Sequence, residues 1–169
     1  MPMQNTIIIA LLLLVAGIAH AETTVTLEGV HNCCKSCTNG IVKAGTSAKD
    51  VTVTAEGETV TIVSKSKANA KKAVEAILDA GYYGKSSDES AATASTTKTE
   101  KKLTTATVTG AHLCCGKCVT AMTDAVKAVP GVTEYDIQNK AKTFTVKGEF
   151  TESDLLASMN KAGFHGTVK

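Results

Sequence analysis

One phrase is written twice in this chain. Residues 29–40 read GVHNCCKSCTNG and residues 110–121 read GAHLCCGKCVTA, an offset of 81 residues. All six cysteines of the 169-residue chain sit in these two copies. Each copy is followed by a helix-like stretch, two strand-like runs and a second helix-like stretch. That second stretch ends at a glycine-aromatic tetrapeptide: GYYG at residues 81–84, GFHG at residues 163–166. A repeat of this length means one supersecondary unit made twice, so any fold proposed for one half must serve the other.

Within each copy the hydrophobic period alternates between two and 3.6. TTVTLEG (residues 23–29) and TTATVTG (104–110) alternate apolar and polar residues, as half-covered strands do. Val119, Met122, Val126 and Val129 recur at helical spacing until Pro130-Gly131 stops them. KTFTVKG alternates again, and TESD (151–154) then sets a capping hydroxyl three residues before an acid, ahead of Leu155, Leu156 and Met159. The first copy repeats the last helix with Val74, Ile77 and Leu78. The order is β-α-β-β-α-β. Two helices on one face of a four-stranded antiparallel sheet is the layer solution for such a unit, so an α+β fold of two ferredoxin-like domains in tandem is expected.

The boundaries follow from composition. Residues 22–84 form the first domain and 104–169 the second. Residues 85–103, rich in Ser, Thr, Ala and charge, read as a flexible linker with an r.m.s. span of roughly 25 Å. That reach leaves three arrangements open: independent sites, ions passed between sites, or one ion clamped face to face. Residues 7–19 form an apolar run too short to span a bilayer, with Ala19-His20-Ala21 after it. A secretion signal over 1–21, cleaved before Glu22, is expected, and with it a secreted or periplasmic, soluble protein. The formal charge of +2 is too weak a field to argue for nucleic acid or an anionic membrane. With 4% aromatics and no Trp, base-stacking platforms are absent too.

The cysteines carry the chemistry. Each first strand ends near Gly29 or Gly110, which places Cys34 and Cys115 in the loop before the first helix, and Cys37 and Cys118 in its first turn. Backbone N–H groups and the dipole at a helix start favour the thiolate, which is both metal ligand and nucleophile. Soft thiolate pairs select soft ions, Cu(I) ahead of Zn(II). An extra cysteine and a histidine recur in each copy, so the candidate ligands are His31, Cys33, Cys34 and Cys37, and His112, Cys114, Cys115 and Cys118. Three thiolates allow a trigonal site, and an added imidazole could close a tetrahedral zinc site. A redox or structural role competes for Cys33 and Cys114, and a hydrogen-bonding role for the histidines.

These residues resemble the heavy-metal-associated domain of copper chaperones, copper-pumping ATPases and periplasmic mercury-binding proteins. The resemblance rests on Cys-x-x-Cys after strand one, the βαββαβ order and the Gly-aromatic near the last strand, and it covers both copies. It implies one soft ion, Cu(I) first and Zn(II) or Hg(II) as alternatives, held by Cys34 with Cys37 and by Cys115 with Cys118. It also implies transfer to a metal donor or acceptor protein, such as a transporter, by stepwise thiolate exchange. Tyr82 and Phe164 would pack near the metal loops. This chain departs from the family in its longer loop, its missing Met before the first cysteine and its extra cysteine.

Two other classes compete. A Cys-x-x-Cys at a helix start in an exported protein also suits thiol–disulfide exchange, although no cis-proline segment accompanies it. Disulfide staples would close loops too short to stabilise much. No phosphate loop or Ser-His-Asp pattern points to an enzyme. The expectation is therefore a non-enzymatic, monomeric, tandem soft-metal binder, each cysteine cluster forming one site.

Overall fold

The computed structural model describes residues 22–90 and 101–169. The stretch read as a secretion signal, residues 1–21, lies outside the described residues. The N-terminal half runs β1 (Thr23–Glu28), α1 (Lys35–Gly45), β2 (Val51–Glu56), β3 (Thr59–Ser64), α2 (Lys67–Asp79) and β4 (Lys85–Ser86). The C-terminal half runs β5 (Lys102–Thr109), α3 (Gly116–Lys127), β6 (Val132–Tyr135), β7 (Thr143–Thr151), α4 (Glu152–Lys161) and β8 (Thr167–Val168). Each half has its own four-stranded sheet, ordered β2-β3-β1-β4 and β6-β7-β5-β8, with antiparallel pairing throughout. This α+β arrangement is consistent with the ferredoxin-like fold.

The alternation in the sequence becomes the inner face of each sheet. Val25 and Leu27 of β1, and Val60 and Ile62 of β3, are buried, while Thr24 and Thr59 beside them face solvent and Thr26 and Thr61 between them are half-buried. The helices present one stripe each. Cys37, Ile41 and Gly45 are buried along α1 at intervals of four; Cys118, Met122 and Val126 repeat this on α3. The second cysteine of each motif is thus the first residue of its helix's core-facing stripe. Ser66 and Thr151 cap α2 and α4, accepting from the N–H groups of Asn69 and Asp154, as the hydroxyl–acid spacing at 151–154 predicts.

The stretch read as linker, residues 85–103, needs correcting at both ends. Lys85 and Ser86 pair with Glu28 and Leu27 as an edge strand, and Lys102 and Leu103 belong to β5. Two polar residues on a sheet edge carry no apolar period, so composition alone cannot separate them from a linker. Residues 91–100 lie outside the described residues.

The two halves meet through the glycine-aromatic tetrapeptides. Tyr82 and Phe164 form a bridge between the halves, and four backbone bonds flank it in matching pairs. The N–H groups of Tyr83 and His31 donate to Gly163 O at 3.0 and 3.3 Å; those of His165 and His112 donate to Gly81 O at 3.0 and 3.4 Å. The pairs exchange under an approximate two-fold axis, the symmetry of a duplicated unit meeting itself. Gly81 and Gly163 have φ of 91° and 83°, and an added Cβ at either would fall on the backbone of the opposite half. Tyr82 and Phe164 are 1% and 0% exposed. Burial of such a ring is worth about 1.5–3 kcal/mol, so these two side chains anchor the junction.

Candidate metal centre

That junction brings the two cysteine loops together. Cys34 and Cys115 occupy the N-cap positions of α1 and α3 in extended backbone; neither sulfur makes a side-chain cap hydrogen bond, but the first-turn N–H groups of Cys37 and Cys118 favour their thiolates. Cys37 and Cys118 lie one turn in, on the buried stripe. Cys33 and Cys114 precede the caps in loops braced differently in each half. In the first, Thr38 Oγ1 donates to Asn32 Oδ1 at 2.8 Å and Asn32 Nδ2 donates to Gly57 O at 2.9 Å. In the second, Leu113 is buried and its carbonyl accepts from Lys140 N at 2.7 Å.

The six sulfurs form one mesh rather than two clusters, and the expectation of one separate site per cluster is corrected here. Cys37 Sγ has Cys33 at 3.7 Å, Cys34 at 3.7 Å, Cys114 at 3.5 Å and Cys118 at 3.8 Å. Cys118 Sγ has Cys33 at 3.7 Å, Cys114 at 3.7 Å and Cys115 at 3.8 Å. Cys33 and Cys115 are 3.8 Å apart, and the sulfurs of Cys34, Cys114 and Cys115 lie within 4.8 Å of one another. All six are free thiols. A triangle with such edges has its centre about 2.1 Å from each corner, close to the about 2.3 Å of a metal–thiolate bond. Triangles such as Cys33–Cys37–Cys118 and Cys37–Cys114–Cys118 share an edge, so the mesh has room for more than one ion joined by bridging sulfurs. Of the three arrangements left open by the sequence, the structure shows the loops face to face.

The thiols divide by environment. The Cys118 backbone N–H lowers Cys115 to about 6, and the Cys37 backbone N–H lowers Cys34. Burial raises Cys37 and Cys118 and pushes Cys33 and Cys114 up to about 12. The helix start therefore favours the thiolate at the capping cysteine alone; the cysteine one turn on is too deeply buried to share the benefit, a correction to the reading of both. A metal entering the mesh must displace the remaining protons. At about pH 7, iodoacetamide should modify Cys34 and Cys115 of the reduced protein well ahead of the other four, since the thiolate is the nucleophile. Peptide mass spectrometry checks this; equal rates at all six would contradict the division.

The aromatics after the glycines lie near the loops as the resemblance implies, but each packs against the histidine of the opposite half. Tyr82 stacks on His112 and Phe164 on His31, both with ring centroids 4.4 Å apart. Tyr82 OH and His112 Nε2 share a hydrogen bond of 2.9 Å. Burial lowers both histidines and raises Tyr82, so the rings are neutral and the phenol stays protonated. All eight candidate ligands thus converge on the junction. The Tyr82–His112 bond and the Asn32–Thr38 brace carry no sequence signal beyond the residue types themselves.

Cysteine thiols converging from two helix starts on an α+β scaffold make a donor set of the class that binds soft metals as thiolates. Within that class, residues 105–165 match the heavy-metal-associated domain. Two solved structures are similar to the chain at 16% identity. The solution structure of the N-terminal soluble domains of Bacillus subtilis CopA covers 88% of this chain and 95% of its own, with a TM-score of 0.32. The water-soluble region of the P-type ATPase CopA from Bacillus subtilis covers 88% and 92%, with a TM-score of 0.29. No curated protein matches the chain. The matched domain and the clustered cysteines support heavy-metal binding.

Proposed function

We propose that the two halves are tandem heavy-metal-associated domains of an exported, non-enzymatic protein that binds Cu(I) in a single centre shared between them. The observation that carries this reading is the continuous sulfur mesh with edges of 3.5–3.8 Å. Thiolate-only donor sets select Cu(I) over harder ions, and three-sulfur triangles suit its low coordination number. Cys34 and Cys115, half-buried at the rim and the two thiols whose pKa is lowered, are where an incoming thiolate of a transporter or donor protein starts ligand exchange. Cys37 and Cys118 hold the ion until that exchange is complete. In a compartment where disulfides form, the closed junction also keeps oxidants from the two buried thiols.

An anaerobic Cu(I) titration of the reduced protein against a chelator of known affinity, with Zn(II) in parallel, tests the reading. Copper should be retained at a ratio above one ion per chain. If neither ion is held against the chelator, the metal reading falls and thiol–disulfide exchange by the same cysteines takes its place.

A further inference from the structure

The approximate two-fold axis is broken at one place that bears on ligation. His112 and His31 occupy equivalent positions, each stacked on the aromatic ring of the opposite half. Tyr82 supplies a hydroxyl to His112 Nε2; Phe164, its counterpart, has none to give to His31. His31 Nε2 is consequently buried without a hydrogen-bond partner among the described residues. An unmet buried polar atom costs about 1–3 kcal/mol, and a ligand that engages it recovers that loss.

The sulfurs beside this ring fit such a ligand. A ring nitrogen of His31 lies within 4.8 Å of the sulfurs of both Cys33, from its own half, and Cys118, from the other. Those sulfurs are 3.7 Å apart. Cys115 Sγ is 3.8 Å from each of them, and Cys37 Sγ is 3.7 Å from Cys33 and 3.8 Å from Cys118. A tetrahedral ion with bonds of about 2.3 Å to sulfur needs sulfurs about 3.8 Å apart.

We propose that His31, Cys33 and Cys118, with a third thiolate from Cys37 or Cys115, form a Cys3His site that spans both halves and takes a divalent ion of the zinc class, and that His112 is not a ligand. The site rests on the shared-centre reading, since it borrows sulfurs from that mesh, but it adds a nitrogen donor and a second kind of cargo. With imidazole present the centre accepts a borderline ion at one corner, while the rest of the mesh stays purely thiolate.

Cadmium-113, a spectroscopic substitute for zinc, gives a direct test through scalar coupling to imidazole ring protons in the reduced full-length protein. One histidine should show the coupling. It should vanish in His31→Phe and persist in His112→Phe. Zn(II) affinity should fall about tenfold or more in His31→Phe. Coupling to His112, or cadmium bound with no imidazole coupling in the unmutated protein, would overturn the proposal without reference to any variant's folding. Failure to bind cadmium at all would instead remove the shared thiolate centre on which it rests.

Discussion

If the sulfur mesh is one shared Cu(I) centre, Cys37→Ser or Cys118→Ser should abolish most Cu(I) retention by the whole protein, rather than half of it. Each of these sulfurs stands at the centre of the mesh, with Cys37 Sγ facing Cys33, Cys34, Cys114 and Cys118, two from each half. Its loss opens every triangle it completes and leaves a harder hydroxyl in a buried, sulfur-lined place. Changes outside a metal's ligand shell cost about 10–100-fold in affinity, so removal of a central ligand should exceed that range. Cys34→Ser and Cys115→Ser, at the rim, should cost less. The double variant Cys37→Ser/Cys118→Ser should lose far less than the sum of the two singles, because the pair acts as a unit. Competition titrations of the unmutated protein and these variants measure this. Additive losses, with each single variant keeping half of the copper, would mean two separate sites.

Gly81→Ala should separate the halves and with them the sulfurs. At φ of 91° a side chain is strained, and the new Cβ would meet Gly110 O and the backbone at Ala111 and His112. Strain of this kind costs more than about 1 kcal/mol before the clash is added, and the hydrogen bonds from His112 and His165 to the Gly81 carbonyl would be lost with it. The expected outcome is a protein whose halves stay folded but scatter X-rays as a more extended particle, with copper held two-coordinate in each half. Gly163→Ala should behave alike, since its Cβ would meet His31 N and Gly29 O. Gly57→Ala is the control: its φ is also positive, at 55°, yet nothing lies within 4 Å of the added Cβ. If Gly81→Ala leaves particle size and copper coordination like those of Gly57→Ala, the junction does not set the metal geometry.

Sequence and structure agree where local chemistry decides the outcome. The alternation around Val25 and Leu27, the helical recurrence of Met122 and Val126, and the Thr151 cap all follow from nearest-neighbour rules, and so the β-α-β-β-α-β order was legible. So was the placement of Cys34 and Cys115 at helix starts. What was not legible depends on how two surfaces meet. The glycine-aromatic tetrapeptides mark an edge with no room for side chains, but nothing in GYYG or GFHG says that each docks on the other. Their mutual docking converts two three-thiol loops into one six-thiol mesh. The burial that raises Cys37 also comes from packing, against both its own sheet and the opposite loop, and this outweighs the helix-start effect that the motif alone suggests. The difference between Tyr82 and Phe164 is visible in the letters, yet its meaning, one histidine satisfied and the other not, needs the geometry.

Copper-edge X-ray absorption of the reduced protein loaded with more than one Cu(I) per chain tests the shared centre most directly. Three sulfur neighbours per copper, with a short copper–copper vector from bridging thiolates, is the predicted result. Two sulfur neighbours and no copper neighbour, the signature of two separate Cys-x-x-Cys sites, would contradict it.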